Sequence, residues 1–177
     1  AQKIPKRNLE LCGESGDVCR NQAVTPWHEM QAAANKANTP CEFTSFVGYE
    51  YTGTPGNSSY HRNVIFRNSS VPNLPVSYID APLDSMLWSK LDEVCDTSNN
   101  CDFLTIPHNT NLSNGSMAPY RQIPETTEAQ LKYAQHRLKR EPIIEIFQHK
   151  GGSECVNDLS TIFGAPDELC DIEAIRK

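Results

Sequence analysis

The sequence predicts an α/β domain in which short apolar strands alternate with amphipathic helices. Two kinds of segment lead to this prediction: runs rich in aromatic and β-branched residues, which favour strands, and apolar residues three or four positions apart, which favour helices. The 177 residues are 38% hydrophobic and 21% charged, which is enough apolar material for one domain with its own core. The predicted order α-β-β-α-β-α-β is typical of an open α/β sheet or a barrel.

The first half of the chain is expected to hold one helix and two strands. Residues 1–24 show little periodicity and are interpreted as an irregular lead-in. A threonine followed by a proline predicts the start of a helix over 25–38, because threonine caps helices and proline suits their first position. Residues 41–51 and 62–68 have strand composition. The loop between them allows either a long-looped hairpin or parallel neighbours.

The second half is expected to add two helices and two strands. Residues 68–82 carry three prolines and predict a meandering connection. Apolar residues at helical spacing predict helices over 83–95 and 125–140. Compact apolar runs predict strands over 102–106 and 142–148.

These elements are expected to form a single domain over residues 1–177. An α/β core over 25–150 would lie between the lead-in and a tail over 151–177 that a disulfide closes. The net charge of −6 and the pI near 5.3 argue against a nucleic-acid partner, which would require a basic face. No apolar run is long enough to span a bilayer.

Six of the seven cysteines fall into sequence-local pairs, each closing a polar segment rich in turn formers. The pairs are Cys12 with Cys19, Cys95 with Cys101, and Cys155 with Cys170. This pattern favours disulfides and a secreted or periplasmic protein. A zinc site is the competing interpretation, but no Cys-x-x-Cys is present. Cys41 is left over at the start of a predicted strand, where we expect a buried free thiol.

The start of the chain carries no secretory signal, because its first twelve residues are polar. We therefore expect that a signal was removed or that the chain begins inside a longer protein. The common motifs of dinucleotide-binding proteins, P-loop proteins, zinc proteases and serine hydrolases are also absent.

Three polar residues near predicted strand ends are the candidates for chemistry. Glu50 lies near the end of the first strand, His61 at the start of the second and His108 just after the third. A carboxylate with two imidazoles is a suitable ligand set for zinc, manganese or iron. The structural alternative is that Glu50 pairs with an arginine such as Arg62 and that each histidine bonds a backbone carbonyl.

Four segments resemble a poorly characterised bacterial family related to the PHP (polymerase and histidinol phosphatase) metal-dependent hydrolases. They are FVGYEYTGTPG, YHRNVIFRN, FLTIPHNTNLSNG and PIIEIFQHKGGSEC. The resemblance implies a distorted (β/α) barrel with two or three metal ions and a phosphoester substrate. Proteins of that kind hold the metals at the strand ends, where a metal-bound water attacks phosphorus.

The same resemblance implies roles for individual residues. Glu50 would be the carboxylate that bridges metals, and His61 and His108 would be histidine ligands. Arg62 would clamp a phosphate, because its planar guanidinium matches that anion. Asn109 would orient His108 or contact the substrate.

The chain also departs from the PHP pattern, which includes H-x-H and D-x-H motifs that this sequence lacks. We therefore expect an internal fragment of a longer enzyme, incomplete at both ends, whose metal site needs the remainder of the parent protein. On this interpretation the isolated chain would be inactive.

Two other functions remain open at this stage. The chain could be a disulfide-stabilised secreted binding or scaffold domain that uses the aromatic residues Tyr49, Tyr51 and Tyr60 to hold carbohydrate or protein. A metal-dependent enzyme could also act on a non-phosphate ester or a sulfate. The distances among Glu50, His61 and His108 distinguish an enzyme from a scaffold, since only an enzyme requires them to converge.

Overall fold

The computed structural model describes residues 5–55, 58–111, 113, 117 and 126–146, and within these ranges the protein is a mixed α/β fold. The helices are α1 (Leu9–Cys12), α2 (Asp17–Ala37), α3 (Asp84–Val94) and α4 (Thr127–Arg140), with a short 3-10 turn at Thr97–Asn99. The strands are β1 (Gly48–Tyr51), β2 (Arg62–Phe66) and β3 (Phe103–Pro107).

The three strands form one antiparallel sheet in the order β1-β2-β3. The predicted hairpin between the first two strands is therefore confirmed. The parallel alternative is wrong, and the described strands do not show the expected (β/α) barrel. Glu50, Asn63 and Ile106 are register partners on one face, which is open, whereas Tyr51 and Arg62 lie on the buried face.

The buried face of the sheet packs against α2 and α3. Val64 and Phe66 of β2 are fully buried, and Leu87 and Leu91 of α3 belong to the same core. Trp27 of α2 closes one side, with its ring centre 6.1 Å from that of Phe66. Burying each of these side chains contributes about 1.5–3 kcal/mol, so this face fixes the orientation of the sheet.

The predicted helices over 83–95 and 125–140 are confirmed within one or two residues at each end. The predicted start of the first long helix at Thr25 is wrong, because α2 begins at Asp17 and Pro26 lies inside it. A proline within a helix lacks the N–H that would bond the carbonyl four residues earlier, at a cost of about 3 kcal/mol. The burial of Trp27 and its hydrogen bond to the Pro72 carbonyl (2.8 Å) offset that cost.

The lead-in over 1–24 is also more ordered than expected. It contains α1 and the first two turns of α2, and the Cys12–Cys19 disulfide joins these two helices. The Cys95–Cys101 disulfide is confirmed as well and closes the turn between α3 and β3. The predicted pair of Cys155 with Cys170, and the whole tail over 151–177, lie outside the described residues.

The predicted strand over 41–51 is shorter than expected, since only Gly48–Tyr51 pairs with β2. Residues 39–43 instead make a tight turn closed by a Thr39–Phe43 bridge. Cys41 lies in this turn with φ of 68°, and it is a free and exposed thiol. The prediction of a buried thiol is therefore wrong, because the strand that would have buried it begins seven residues later.

Candidate functional site

The open face of the sheet brings the three predicted metal ligands together at one end. Glu50 lies on β1, and His61 and His108 flank the paired ends of β2 and β3, where the His108 N–H donates to the His61 carbonyl at 3.0 Å. His61 Nδ1 lies 2.8 Å from Glu50 Oε1. The ring centres of His61 and His108 are 5.9 Å apart. The three residues are neighbours in space, although Glu50 and His108 are 58 positions apart in the sequence.

The hydrogen bonds of both histidines define which ring nitrogen carries a lone pair. His61 Nδ1 donates to the Glu50 carboxylate, which only accepts when ionised. His108 Nδ1 donates to its neighbour's backbone carbonyl, the Asn109 oxygen, at 2.9 Å. In the neutral imidazoles Nε2 is then the lone-pair nitrogen of both rings, which is the state that binds metal.

A second carboxylate, Glu145, also reaches this cluster. The segment that carries it runs beside β3, where the Glu145 N–H donates to the Pro107 carbonyl at 3.1 Å. Glu145 Oε2 accepts a hydrogen bond from the Asn109 N–H at 3.0 Å and lies 4.0 Å from His108 Nε2. Glu145 lies in the segment 142–148 that has strand-like composition, and it is not among the ligands predicted from the sequence. We name these four residues, Glu50, His61, His108 and Glu145, the histidine–glutamate cluster.

The histidine–glutamate cluster is an open arrangement rather than a closed metal site. No group of three or more His, Cys, Asp or Glu side chains in the described ranges is placed to hold a metal ion. The separation of the two rings nevertheless suits a shared cation. Two imidazoles that bind one tetrahedral zinc, with Zn–N bonds of about 2.0–2.1 Å, have ring centres about 5–6 Å apart. A third ligand would lie about 3.3 Å from each Nε2, and Glu145 Oε2 lies 4.0 Å from His108 Nε2.

Arg62, the predicted phosphate clamp, lies away from the cluster. It is 0% exposed, and its guanidinium donates to Glu141 Oε1 at 2.5 Å and to Asp84 Oδ2 at 3.3 Å. It also lies 4.2 Å above the ring of Tyr60. Burial disfavours the charged guanidinium, but the carboxylate of Glu141, with smaller effects of Tyr60 and of the Asp84 carboxylate, outweighs this and raises the pKa of Arg62. Through its contact with Glu141, Arg62 links the buried face of the sheet to the C-terminal end of α4.

Asn109 lies beside the cluster, and two of its backbone atoms contact it. Its carbonyl accepts from His108, and its N–H donates to Glu145. Its buried side chain accepts a hydrogen bond from the Asn111 N–H at 3.1 Å. The contacts of Asn109 with the cluster come from its backbone, and the role of its side chain in orienting His108 or contacting substrate stays a prediction.

The aromatic binding surface that a scaffold would require is not present at the predicted tyrosines. Tyr51 and Tyr60 are 1% and 2% exposed, and Tyr49 is half-buried. Burial raises the pKa of all three phenols. The hydroxyl of Tyr51 donates to the Ala81 carbonyl at 2.5 Å. These rings belong to the core and do not form a surface for carbohydrate or protein.

Comparison with known proteins gives one match. The sequence model of a family described as "Protein of unknown function (DUF3604)" matches residues 2–177. No curated protein and no solved structure matches the chain. The expected membership of a PHP-related family is wrong, since the match is to DUF3604 and nothing links the chain to PHP proteins. None of the helices in the described ranges has the length and apolar character that a bilayer crossing requires.

Proposed function

Because the chain belongs to the DUF3604 family of proteins of unknown function, we propose a function from its own side chains: a hydrolase of phosphoesters that works with a divalent cation held at the histidine–glutamate cluster. One observation carries the proposal. Two imidazoles, each with Nδ1 occupied as a donor, lie on one open face at the spacing that a shared cation requires.

Each member of the cluster has a defined part in this proposal. His61 and His108 would hold the cation through Nε2, and Glu145, whose Oε2 lies 4.0 Å from His108 Nε2, would supply the carboxylate ligand. Glu50 is reassigned from bridging ligand to the carboxylate that orients His61, since it already accepts the Nδ1–H. Such a carboxylate fixes the tautomer of a metal-binding histidine and raises its basicity. Two nitrogens and one oxygen suit zinc, and also manganese or iron.

The proposed chemistry follows from this ligand set. The cation would lower the pKa of a water and offset charge on a phosphoryl oxygen. His61 and His108 contribute no charge as neutral ligands, so one carboxylate ligand would leave the centre with net positive charge. A phosphoester is attracted to such a centre, and the partly exposed rings leave room for it to approach. We include an extracellular or periplasmic location in the proposal, because two disulfides persist only in oxidising surroundings.

The experiment is a metal titration of the purified chain with Zn²⁺, Mn²⁺ and Fe²⁺ by calorimetry, followed by hydrolysis of p-nitrophenyl phosphate. We expect one bound cation per chain. His108→Asn should weaken the binding of that cation at least a hundredfold, because asparagine lacks the ring nitrogen that binds it. His28→Asn is the matched control, since His28 is exposed on α2 and lies outside the cluster. Equal affinity in the two variants, or no binding by the parent chain, would overturn the proposed metal centre.

A further inference from the structure

We propose that an apolar groove on the open face of the sheet binds the apolar part of the substrate, so that the substrate is the phosphoester of a long-chain or aromatic alcohol. This inference rests on the proposed function and specifies the substrate class of the same site. The groove has a volume of about 650 Å³, within the usual range for small-molecule sites. Its floor is formed by Ile65, Leu104 and Ile106, and Phe46 and Ile143 form its walls.

The groove is continuous with the histidine–glutamate cluster along three neighbouring stretches of chain. In an extended chain every second side chain lies on the same face, about 6.5–7 Å further along. Ile106 of the groove is therefore followed on its face by His108. On the segment beside β3, Ile143 of the groove lies two residues before Glu145 of the cluster. Along β2, the side chains of Ile65, Asn63 and His61 follow one another on the same face. Asn63 is the register partner of both Ile106 and Glu50.

The floor of the groove is shaped by a close contact at Gly48. A Cβ added at Gly48 would lie 2.7 Å from the Val64 carbonyl oxygen and 2.9 Å from Ile65 Cδ1. The Ile65 side chain therefore lies across the glycine and not outward from the sheet. Phe46 and Ile143, which also line the groove, have side chains that are 56% and 54% exposed.

The charges around the groove favour an anionic amphiphile over an uncharged apolar partner. Arg67 and Lys139 line the end of the groove far from the cluster. The Arg67 guanidinium donates to the neutral Asn100 side chain, and Lys139 has no hydrogen bond or ion pair with other described residues. Among the described residues that line the groove, Asp102 alone is acidic, and it is paired with the buried Arg140. Because Arg67 and Lys139 lie far from the cluster, they would attract an anionic ligand to this face of the sheet without contacting its phosphoryl group.

The test is the binding of alkylphosphonates of increasing chain length, which resist hydrolysis, measured by calorimetry with and without Zn²⁺. Each buried methylene is expected to tighten binding about twofold to fourfold. Octylphosphonate should therefore bind at least tenfold more tightly than butylphosphonate. Ile106→Thr should reduce that ratio to less than threefold, because it places a hydroxyl on the groove floor. Ile79→Thr, the same exchange at a partly exposed position outside the groove, should leave the ratio unchanged.

The measurements with and without Zn²⁺ test the groove and the metal centre separately. A chain-length effect that persists without Zn²⁺, and that the groove variant removes, supports the groove even if no cation binds. Zinc binding with no chain-length effect would overturn the inference and leave the metal centre intact. A second copy of the chain is the competing occupant of the groove. Sedimentation that shows a dimer in the parent chain and a monomer in Ile106→Thr would also overturn the inference.

Discussion

Replacing Arg62 with methionine tests whether this side chain supports the fold or clamps a substrate anion. The guanidinium is fully buried and bonds the carboxylates of Glu141 and Asp84. Removing one partner of a buried ion pair leaves an uncompensated charge and costs about 3–5 kcal/mol. Asp84 keeps a hydrogen bond from the Tyr133 hydroxyl at 2.9 Å, and Glu141 keeps one from the Thr105 hydroxyl at 3.1 Å. We therefore expect the free energy of unfolding to fall by an amount near the lower end of that range, about 3 kcal/mol.

The assay is urea unfolding followed by tryptophan fluorescence, since Trp27 and Trp88 are both buried in the folded chain. A loss of about 3 kcal/mol is a large part of the 5–15 kcal/mol that a domain of this size usually has. Arg20→Met is the matched control. Arg20 forms a surface ion pair with Asp17, so its replacement should cost at most about 1 kcal/mol.

A double variant sharpens the test. Adding Glu141→Gln to Arg62→Met removes one of the two buried carboxylates that lose Arg62. Among the described residues, only the partly exposed Arg137, at 3.4 Å, still pairs with Glu141, so part of the lost free energy of unfolding should return. A loss in Arg62→Met no larger than in Arg20→Met would refute the structural role. In that case the interpretation of Arg62 as a phosphate clamp would stand as a prediction again.

Three further predictions concern the crosslink, the acid stability and the metal centre. Replacing Cys95 and Cys101 with serine should lower the free energy of unfolding by about 2 kcal/mol, as expected for so short a loop, and urea unfolding measures it. Burial alone would raise the pKa of Asp102, but hydrogen bonds from Arg140 and a backbone N–H hold that pKa below its ordinary value of 3.8. The ionised Asp102 therefore stabilises the fold above pH 3.8, and this stabilisation is lost as the pH falls further. In Asp102→Asn the free energy of unfolding should decrease less on acidification than in the parent chain. The same decrease in both would contradict this cause. Glu50→Gln should weaken Zn²⁺ binding about 10- to 100-fold in calorimetry, whereas a full loss would indicate that Glu50 is itself a ligand.

Features specified by local sequence were predictable. The helix α3 carries an apolar stripe within its own eleven residues, and the two described disulfides join cysteines seven positions apart or fewer. The two strand-like segments and the polar loop between them predicted the β1–β2 hairpin as one of two arrangements, the other being parallel neighbours. In each case the information lies within one turn, one helix or one loop.

The start of α2 was not predictable from its local pattern. Thr25 and Pro26 have the composition of a helix start, but the helix begins eight residues earlier. The deciding interactions are distant in sequence, because Trp27 donates to Pro72 and Cys19 is crosslinked to Cys12. Cys41 shows the same limit, since the sequence does not reveal that a turn replaces the first part of the predicted strand.

Two features of the site could have been derived from strand alternation. His61 and Arg62 are consecutive in extended chain, so their side chains project to opposite faces of the sheet. If His61 faces the site, Arg62 must face the core, as the structure shows. Glu145 is the one charged residue among the apolar residues 142–147, which is a signal for a polar contact. Its partner His108 lies 37 positions earlier and could not be identified from the pattern.

The central claim is that His61 and His108 share one cation through their Nε2 atoms. A crystal structure of the chain grown with Zn²⁺, with diffraction recorded on both sides of the zinc absorption edge, tests it most directly. We expect a single strong anomalous peak about 2.0–2.1 Å from both nitrogens, with a Glu145 oxygen as the third protein ligand. A peak elsewhere on the chain, or none between the two rings, would contradict the proposed centre.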